Sequence, residues 1–510
     1  MKGFGTLDYV VLVGYLLLVA SIGASFYRRR STTRDYFLGG KKMSWLPVGI
    51  SIVAADTSAI TLMGDPGWSY QHNLEIVWMY VGYALAAPIV ILLFIPFYSR
   101  LNLFTAYEYL ERRFGLSVRI TTSLLFQFLR CTHVAIAIYA PAIALSLVTR
   151  LTLWQCVLLM GAVTTVYTTS GGMKAVIWTD VIQFCTVCIG LALVFVVGIG
   201  NVHGGLGAVW NIGANAGRFH IVNLSTDPAQ TTSIWACLVG GVLLSLSAMA
   251  TDQAILQRLF TTKSEKDCAQ SVIVNAAISL PLMTLLLLLG VVLFAFYSQN
   301  PTALEGLKTP DGVFPLFAIR QLPPGVAGLV IAAIFAASMG VMSASINSLS
   351  TATTVDFYQR LVNPNASAQH HALFGRIATA TWGILATCLA LFMDRLGELA
   401  LAYNKVSSFI STPLLGIFLL AILTRRCNAG GALFGAATGT AVVALLSSYT
   451  NWTFFYQLPV GVAVTFTTGY FASFIGKVPP EDKIAGLVFR YPAPSAGMNS
   501  FTAGLAESEE

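Results

Sequence analysis

Charge is what this sequence has least of. Asp, Glu, Lys and Arg together make up 10% of its 510 residues, whereas a soluble domain carries about 25%. Hydrophobic residues make up 56%, and the mean hydropathy is +0.73. Too few charged residues remain to cover a surface that faces water. The composition therefore excludes a set of soluble domains and predicts a polytopic helical membrane protein.

The sequence also lacks the patterns of several other protein classes. Its eight cysteines lie in or beside apolar runs and form no paired extracellular framework, so disulfides are not expected. Its net charge of +7 comes from short basic groups between apolar runs, whereas nucleic-acid binders cluster basic residues on a polar surface. Because no nucleophile–base pair or metal cluster has motif spacing, neither an enzyme nor a transition-metal site is expected.

Long apolar runs are what the sequence has instead, and a run of about 20 residues can cross a bilayer. Thirteen such segments cover residues 8–27, 45–70, 75–98, 120–148, 152–170, 175–199, 232–251, 270–297, 325–353, 373–394, 398–422, 429–449 and 453–475. Basic residues follow the first segment (Arg28 to Arg30) instead of preceding it. This polarity is wrong for a cleaved signal, so we predict a retained helix.

The basic residues between the spans predict the orientation in the lipid bilayer. With the N-terminus outside, cytoplasmic segments carry 21 of the 29 Lys and Arg residues and outer segments carry five. Basic loops stay preferentially in the cytoplasm. The sequence therefore predicts a multi-pass protein of the cell (plasma) membrane with an outer N-terminus and a cytoplasmic C-terminus. The other three basic residues, Arg130, Arg395 and Lys405, lie within or near spans.

Two spans carry polar and helix-breaking residues at mid-depth, where irregular backbone is tolerated only around a cavity or inside protein. The second span contains Asp56, Thr57 and Ser58, and the seventh leads through glycines and serines to 251–253. Because they are five spans apart, they fit two five-helix units related by an inverted repeat. Small-residue packing is the alternative. Asp56 favours a functional site, since a carboxylate inside a membrane is costly.

This spacing divides the chain into predicted regions. They are a first helix with a basic cytoplasmic loop (1–44), a first five-helix repeat (45–200), an extracellular loop (201–231), a second five-helix repeat (232–422), two additional helices (423–476) and a cytoplasmic tail (477–510). A membrane sensor of this kind would need a signalling module after the last span. The tail is too short for one, so a sensor is the disfavoured alternative.

Other polar residues lie inside the spans. Ser343, Asn347 and Ser350 share one helical face of the ninth span, which could bond to a neighbouring helix or complete an oxygen site for a hard cation. Asp180 lies one turn inside the sixth span, where the helix dipole could stabilise it. Arg130 and His133, three residues apart in the fourth span, could face one another, pair with Asp56 or meet an anionic solute, and Lys405 in the eleventh span is another candidate partner for a carboxylate. For the basic residues we favour an internal ion pair.

Several motifs resemble the solute:sodium symporter family. They are Asp-Tyr-Phe-Leu-Gly-Gly at 35–40, the loop at 105–114, the stretch from Gly-Gly-Met-Lys to Asp-Val-Ile-Gln at 171–183, the pair Gln257-Arg258, and the ninth span around Asn347. The resemblance covers nearly the whole chain. It implies an all-α integral membrane protein with a LeuT-like five-plus-five inverted repeat and extra helices at both ends. It also implies a symporter that couples solute uptake to the inward sodium gradient by alternating access.

The resemblance places the main sodium site between the second and ninth spans. Its backbone-carbonyl positions map to Ala54, Thr57 and Ala337, and its two hydroxyl ligands map to Gly340 and Val341. Since neither of the last two has a side-chain oxygen, the sequence departs from the family pattern there. Asp56 resembles an acid of the family's proline-transporting members and could supply the missing oxygen.

A second sodium position, found in some members, maps to Asp180, Ser343 and Ala344, the last again without a hydroxyl. Na+ is therefore the expected coupling ion, with no organic cofactor. The alternative is a proton-coupled or ion-independent carrier. Desolvation disfavours a charged carboxylate, so Asp56 could bind and release a proton.

The family's solute positions map to Asp56, Ser58, Thr61, Tyr80, His133 and Gln253, and we add Arg130 and Lys405 as candidate contacts. The family's sialic-acid carriers have an arginine where His133 stands, which disfavours that solute. Its sugar carriers have an aromatic gate where this chain has Ser247, Ala248 and Met249, so a sugar symporter is a less favoured alternative. The prediction is a small organic anion or zwitterion, such as a monocarboxylate or an amino acid. A monomer is expected to suffice, and the oligomeric state stays open.

Overall fold

The computed structural model describes residues 4–25, 32–101, 103–149, 151–305, 307, 309–393, 399–489 and 491. The basic residues Arg28 to Arg30 and Arg395, and the predicted tail beyond residue 491, lie outside this part of the chain. Helices account for most of the described residues, and no β-strand occurs among them. The fold is all-α, as the composition predicts.

The α-helices are α1 (Thr6–Ser25), α2 (Thr33–Leu38), α3 (Trp45–Asp56), α4 (Ala59–Gln71), α5 (Val77–Ile89), α6 (Ile95–Leu101), α7 (Ala106–Phe114), α8 (Leu116–Val148), α9 (Leu153–Gly200), α10 (Gly205–Asn215), α11 (Ile234–Thr251), α12 (Gln253–Leu259), α13 (Glu265–Gln299), α14 (Val313–Gln321), α15 (Val326–Ala352), α16 (Ala368–Ala390), α17 (Leu399–Leu423), α18 (Ala429–Tyr449) and α19 (Phe454–Ala472). Val90–Phe94 and Thr353–Val362 are π-helical and continue α5 and α15.

Within the described ranges, ten helices are long and apolar enough to cross a membrane, and the bent pair α3–α4 makes an eleventh span. The two remaining predicted spans, 152–170 and 453–475, correspond to the first part of α9 and to α19, which are helical but are not among the ten. Thirteen spans are thus compatible with the helices.

Gly172 separates the fifth and sixth predicted spans inside α9. Its backbone has φ 61° and ψ −166°, a conformation that breaks the helix there and that glycine adopts far more readily than other residues. A β-carbon at this position would lie 2.8 Å from the backbone oxygen of Tyr36. Glycine is therefore required twice, for the backbone angle and for the close approach of α2.

Both predicted helix breaks are present. The axes of α3 and α4 differ by 63°, and Thr57 and Ser58 between them are extended (ψ 101° and 170°). Asp252 is likewise extended (ψ 118°) between α11 and α12. The residues at the breaks also cap the second halves of the helices. The Ser58 hydroxyl accepts a hydrogen bond from the Thr61 amide (3.4 Å), and Asp252 Oδ1 accepts one from the Ala254 amide (2.8 Å).

Helix α15 forms the centre of the protein. Every residue from Val330 to Ala352 is buried, and α15 packs against α1, α3, α8 and α9. Small residues dominate its sequence, because helices in lipid associate through close packing and interhelical hydrogen bonds. This packing places Gly340 of α15 against Ala54 near the break in α3, whereas Asn347 and Ser350 on the polar face of α15 bond Gln257 of α12 and Gly375 of α16.

Candidate functional site

The two helix breaks border one large cavity of about 1370 Å³. Six of the predicted solute residues line it: Asp56, Ser58, Thr61, Tyr80, Arg130 and His133. The cavity also reaches residues 309–311 and 450–454, which belong to the connections after α13 and α18. It therefore leads from the middle of the helix bundle to one face of the molecule.

Asp56 is the last residue of α3, and its side chain is exposed within the cavity. Among the described residues, no side chain forms an ion pair or a hydrogen bond with its carboxylate. The helix ends here because Thr57 and Ser58 turn into extended backbone. The break thus exposes a carboxylate that a continuous helix would bury against its neighbours.

Arg130 forms an ion pair with a carboxylate other than Asp56. Its Nε donates to Asp252 Oδ2 at 2.7 Å, and its Nη2 forms an ion pair with the same oxygen. Its Nη1 lies 2.8 Å from His133 Nδ1. All three side chains are buried. The favoured interpretation of Arg130 as an internal ion pair agrees with this geometry, but the partner is Asp252 and not Asp56.

Of the other predicted solute residues, Tyr80 lines the cavity and Gln253 does not. The Tyr80 hydroxyl donates to Asp65 Oδ2 (2.6 Å), which adds a second carboxylate to the cavity wall. Gln253 is fully buried and does not line the cavity. Its amide instead bonds the Ala106 amide (3.0 Å) and the Phe104 carbonyl (2.8 Å) at the start of α7. Lys405 lies on α17, and its side chain is outside the described part.

The sequence analysis assigned neither Asp65 nor Asp252 to the solute or sodium site. Among the described residues, the cavity is lined by four carboxylates, Asp56, Asp65, Asp252 and Asp311, and by one guanidinium, Arg130. A signal for Asp65 was available in its Gly-Asp-Pro-Gly setting inside an apolar span. The partner of Arg130 was not readable, because 122 residues separate it from Asp252.

Asp180 lies in a buried network between α3, α9 and α12. Its Oδ2 accepts from the Ser51 hydroxyl (2.5 Å) and from Arg258 Nη2 (2.8 Å). Arg258 Nε also donates to Ser51 (2.8 Å), and both charged side chains are fully buried. Asp180 Oδ1 has no hydrogen-bond partner in the structure. The ion pair with Arg258 therefore compensates this carboxylate. Asp180 lies about two turns beyond the break at Gly172, where the helix dipole contributes little.

The predicted sodium positions lie where α3 meets α15. Ala54, Thr57, Ala337 and Val341 are all buried at 5% exposure or less. A β-carbon on Gly340 would lie 2.9 Å from the carbonyl oxygen of Ala54, so the two helices are in close contact there. In the second predicted position, the Ser343 hydroxyl donates to the Gly340 carbonyl (3.1 Å), and Ala344 is fully buried.

The family model described as "Sodium:solute symporter family" matches residues 36–439 of this chain. The chain belongs to the sodium:solute symporter family. It is a membrane transporter and not an enzyme. It couples the uptake of a small solute to the inward sodium gradient by alternating access, and Na+ is its coupling ion.

Similar proteins of this family carry different solutes. The chain is 33% identical over 472 residues to the sodium/sialic acid symporter NanT of Aliivibrio fischeri, covering 92% of this chain and 93% of that one. It is 32% identical to the human sodium/iodide cotransporter, covering 86% and 69%. A solved outward-open, substrate-bound sodium-coupled sialic acid symporter superimposes with a TM-score of 0.87 at 28% identity, covering 93% and 99%. The symporter therefore has the LeuT-like fold with extra helices.

Proposed function

We propose that this symporter imports a small solute that carries a positively charged nitrogen, such as the zwitterion of an amino acid. The proposal rests on how the two charged groups at the helix breaks are paired. The Asp56 carboxylate is exposed in the cavity, whereas the Arg130 guanidinium is already paired with Asp252. The cavity thus offers a negative group to the solute and keeps its positive group occupied.

The helix ends around Asp56 support the same sign of charge. Helix α3 ends at Asp56 and α11 ends at Thr251, and a helix C-terminus carries partial negative charge. The N-terminal ends of α4 and α12, which carry partial positive charge, are capped by Ser58 and Asp252. A cleft with carboxylates and low-dielectric walls attracts positive groups.

A carboxylate of the solute finds weaker but suitable partners. The hydroxyls of Ser58 and Thr61 stand at the start of α4 and line the cavity, and Ser245 and Ser247 line it from α11. Hydroxyls and a helix N-terminus accommodate carboxylate groups. A free anion, in contrast, would have to compete with Asp252 for Arg130. This difference favours a zwitterion over the monocarboxylate alternative.

Sialic acid and iodide, which similar symporters carry by name, are therefore competing candidates and not the preferred ones. Identities near 30% to carriers of such different solutes leave the solute open. His133 lies 2.8 Å from Arg130 and is buried beside it. Both side chains line the cavity, and the Asp252 carboxylate neutralises the charge of Arg130.

We further propose that Na+ lies between α3 and α15 near the carbonyls of Ala54, Thr57 and Ala337, and that Asp56 adds its charge from the cavity side. Hard cations are bound by several oxygens, backbone carbonyls among them. The Thr57 hydroxyl supports this site, since it is buried without a hydrogen-bond partner in the structure.

The test is uptake by proteoliposomes under an inward sodium gradient. Matched sets of amino acid, amine and hydroxy acid on short, branched and aromatic skeletons differ only in their charged groups, and sialic acid and iodide complete the panel. We expect amino acids to be taken up in preference to the hydroxy acids. Asp56→Asn should abolish uptake, and the control Asp227→Asn, at an exposed aspartate between α10 and α11, should keep it. Preferred uptake of a hydroxy acid, sialic acid or iodide would refute the charge argument.

The proposed placement in the plasma membrane has the N-terminus outside, the C-terminus in the cytoplasm and the cavity open to the outside. The basic residues of the connections support it. Because described residues of one chain line the cavity from both helix breaks, we propose that a monomer is sufficient for transport. Thiol labelling of intact cells with an impermeant reagent tests the orientation. Arg218→Cys should be labelled and Arg425→Cys should not, and the reverse pattern would invert the topology.

A further inference from the structure

At Gly340, where α3, α9 and α15 meet, oxygens of two other helices approach the backbone of α15 closely. A β-carbon on Gly340 would lie 2.9 Å from the carbonyl oxygen of Ala54 on α3 and 3.2 Å from Oε1 of Gln183 on α9. Two oxygens from different helices therefore converge on one point that no side chain of α15 fills. A hydroxyl-bearing residue at position 340 would place its own atoms there.

Gln183 is unusual among the buried polar residues. Its side chain is 1% exposed, and among the described residues neither Oε1 nor Nε2 makes a hydrogen bond. The Tyr167 hydroxyl lies beside the amide but donates to the Met339 carbonyl. Buried amides without partners are rare in folded proteins, and one whose oxygen faces a carbonyl of another helix indicates a ligand.

One further oxygen without a hydrogen bond lies at the break in α3. It is the buried Thr57 hydroxyl, three residues after Ala54. Amide, carbonyl and hydroxyl oxygens are ligands of hard cations, which need several at once. No cationic side chain belongs to this group, so a cation of the solvent would meet oxygens alone.

Resting on the proposed sodium site between α3 and α15, we propose that Gln183 Oε1 is a ligand of the coupling Na+. The ion lies beside Gly340 between the Ala54 carbonyl and Gln183 Oε1, and the amide oxygen takes the place of a hydroxyl that glycine cannot provide. A purely structural amide would act differently, by donating its Nε2 hydrogen to a neighbouring carbonyl. The two roles need opposite ends of the same side chain.

Three variants separate these roles. Gln183→Leu removes both ends of the amide, and Gln183→Glu keeps oxygen and removes the N–H donors. Gly340→Ala places a methyl group against the Ala54 carbonyl and Gln183 Oε1 and so displaces both oxygens. Gln127→Leu is the matched control, because Gln127 is a buried glutamine of α8 that bonds Ser123 and Thr353 instead.

Two measurements are made on each protein, the sodium activation curve of solute uptake in proteoliposomes and the rise in melting temperature of purified protein on titration with NaCl at constant ionic strength. For Gln183→Leu and Gly340→Ala we expect the half-maximal sodium concentration to rise about tenfold or more, since loss even of an outer-shell partner costs about 10–100-fold in metal affinity. Gln183→Glu should stay within about threefold of the native value or bind more tightly, and Gln127→Leu should keep the native curve.

The outcomes distinguish this inference from the proposed function. A native protein with no sodium response in either measurement would overturn the proposed sodium site itself. A native response that Gln183→Leu retains, or that Gln183→Glu loses as completely as Gln183→Leu, would overturn only the role of the amide oxygen. If the leucine variant does not fold, Gln183→Met, which is also unbranched and lacks the amide, takes its place.

Discussion

The ion pair between Asp180 and Arg258 yields the prediction that the structure defines most closely. Both side chains are fully buried, and Arg258 makes three hydrogen bonds, to Asp180 (2.8 Å), Ser51 (2.8 Å) and the Ala254 carbonyl (2.7 Å). Arg258→Met leaves a buried carboxylate without its counter-charge, and Asp180→Leu leaves a buried guanidinium. Each single variant should therefore be strongly destabilised.

The expected magnitude follows from the burial of the pair. Removing one partner of a buried ion pair costs about 3–5 kcal/mol, whereas replacing both by apolar residues is often close to neutral. At 1.4 kcal/mol per factor of ten, each single change shifts the folding equilibrium roughly 10²- to 10⁴-fold. The double variant Asp180→Leu/Arg258→Met should regain most of this loss.

The assay is thermal unfolding of the purified protein in one detergent and at one heating rate, since unfolding of such a protein is governed by rates as well as equilibria. Arg360→Met is the control. Arg360 is 49% exposed in its pair with Glu111, and exposed pairs contribute only about 0–1 kcal/mol. Single variants that melt like the native protein, or a double variant whose loss equals the sum of the two, would refute the reasoning.

The same double variant tests the second predicted sodium position. Asp180 Oδ1 has no hydrogen-bond partner in the structure, so it is the atom that would reach an ion near Ser343. If this position contributes to coupling, the double variant should show a weaker sodium response than the native protein even though its stability is restored. An unchanged response would leave Asp180 with a structural role alone.

Three further predictions rest on single contacts. Gly172→Ala should lower the melting temperature, because φ is 61° and a β-carbon would lie 2.8 Å from a carbonyl of α2. Asp252→Asn should shift uptake from amino acids towards hydroxy acids, since Arg130 loses its partner; an unchanged preference would contradict this. Burial raises the pKa of Glu75, in the loop before α5, but hydrogen bonds with Thr232 and three other side chains lower it below its ordinary 4.5. The stability difference between the native protein and Glu75→Gln should therefore be constant above pH 5 and shrink as the pH falls below 4.5.

The helices and their breaks could be predicted because their causes are local. A span of about 20 apolar residues has no alternative to a helix in lipid. Polar residues beside helix breakers identify Asp56 to Ser58 and Thr251 to Gln253 as the irregular points. In the sequence, Gly172 could be recognised only as part of a motif. The need for glycine there comes from its positive φ and from its close contact with the Tyr36 carbonyl on another helix.

The partners inside the site could not be predicted in the same way. Arg130 was expected to meet Asp56 or a solute, and it pairs with Asp252, which lies on the other broken helix. Gln253 was expected at the solute, and both ends of its amide bond the start of α7. Each of these choices depends on which side chains face each other across helices that are far apart in sequence.

The sequence by itself determined that this protein lies in a lipid bilayer, that it is all-helical, where its two helix breaks are and to which family it belongs. These follow from hydropathy, from the cost of unpaired backbone groups in lipid and from local motifs. Only the tertiary structure decided which charges neutralise each other and which remain open to the cavity. Buried charges in a membrane must find partners, and the packing of α15 against α3, α8 and α9 sets which partners lie within reach.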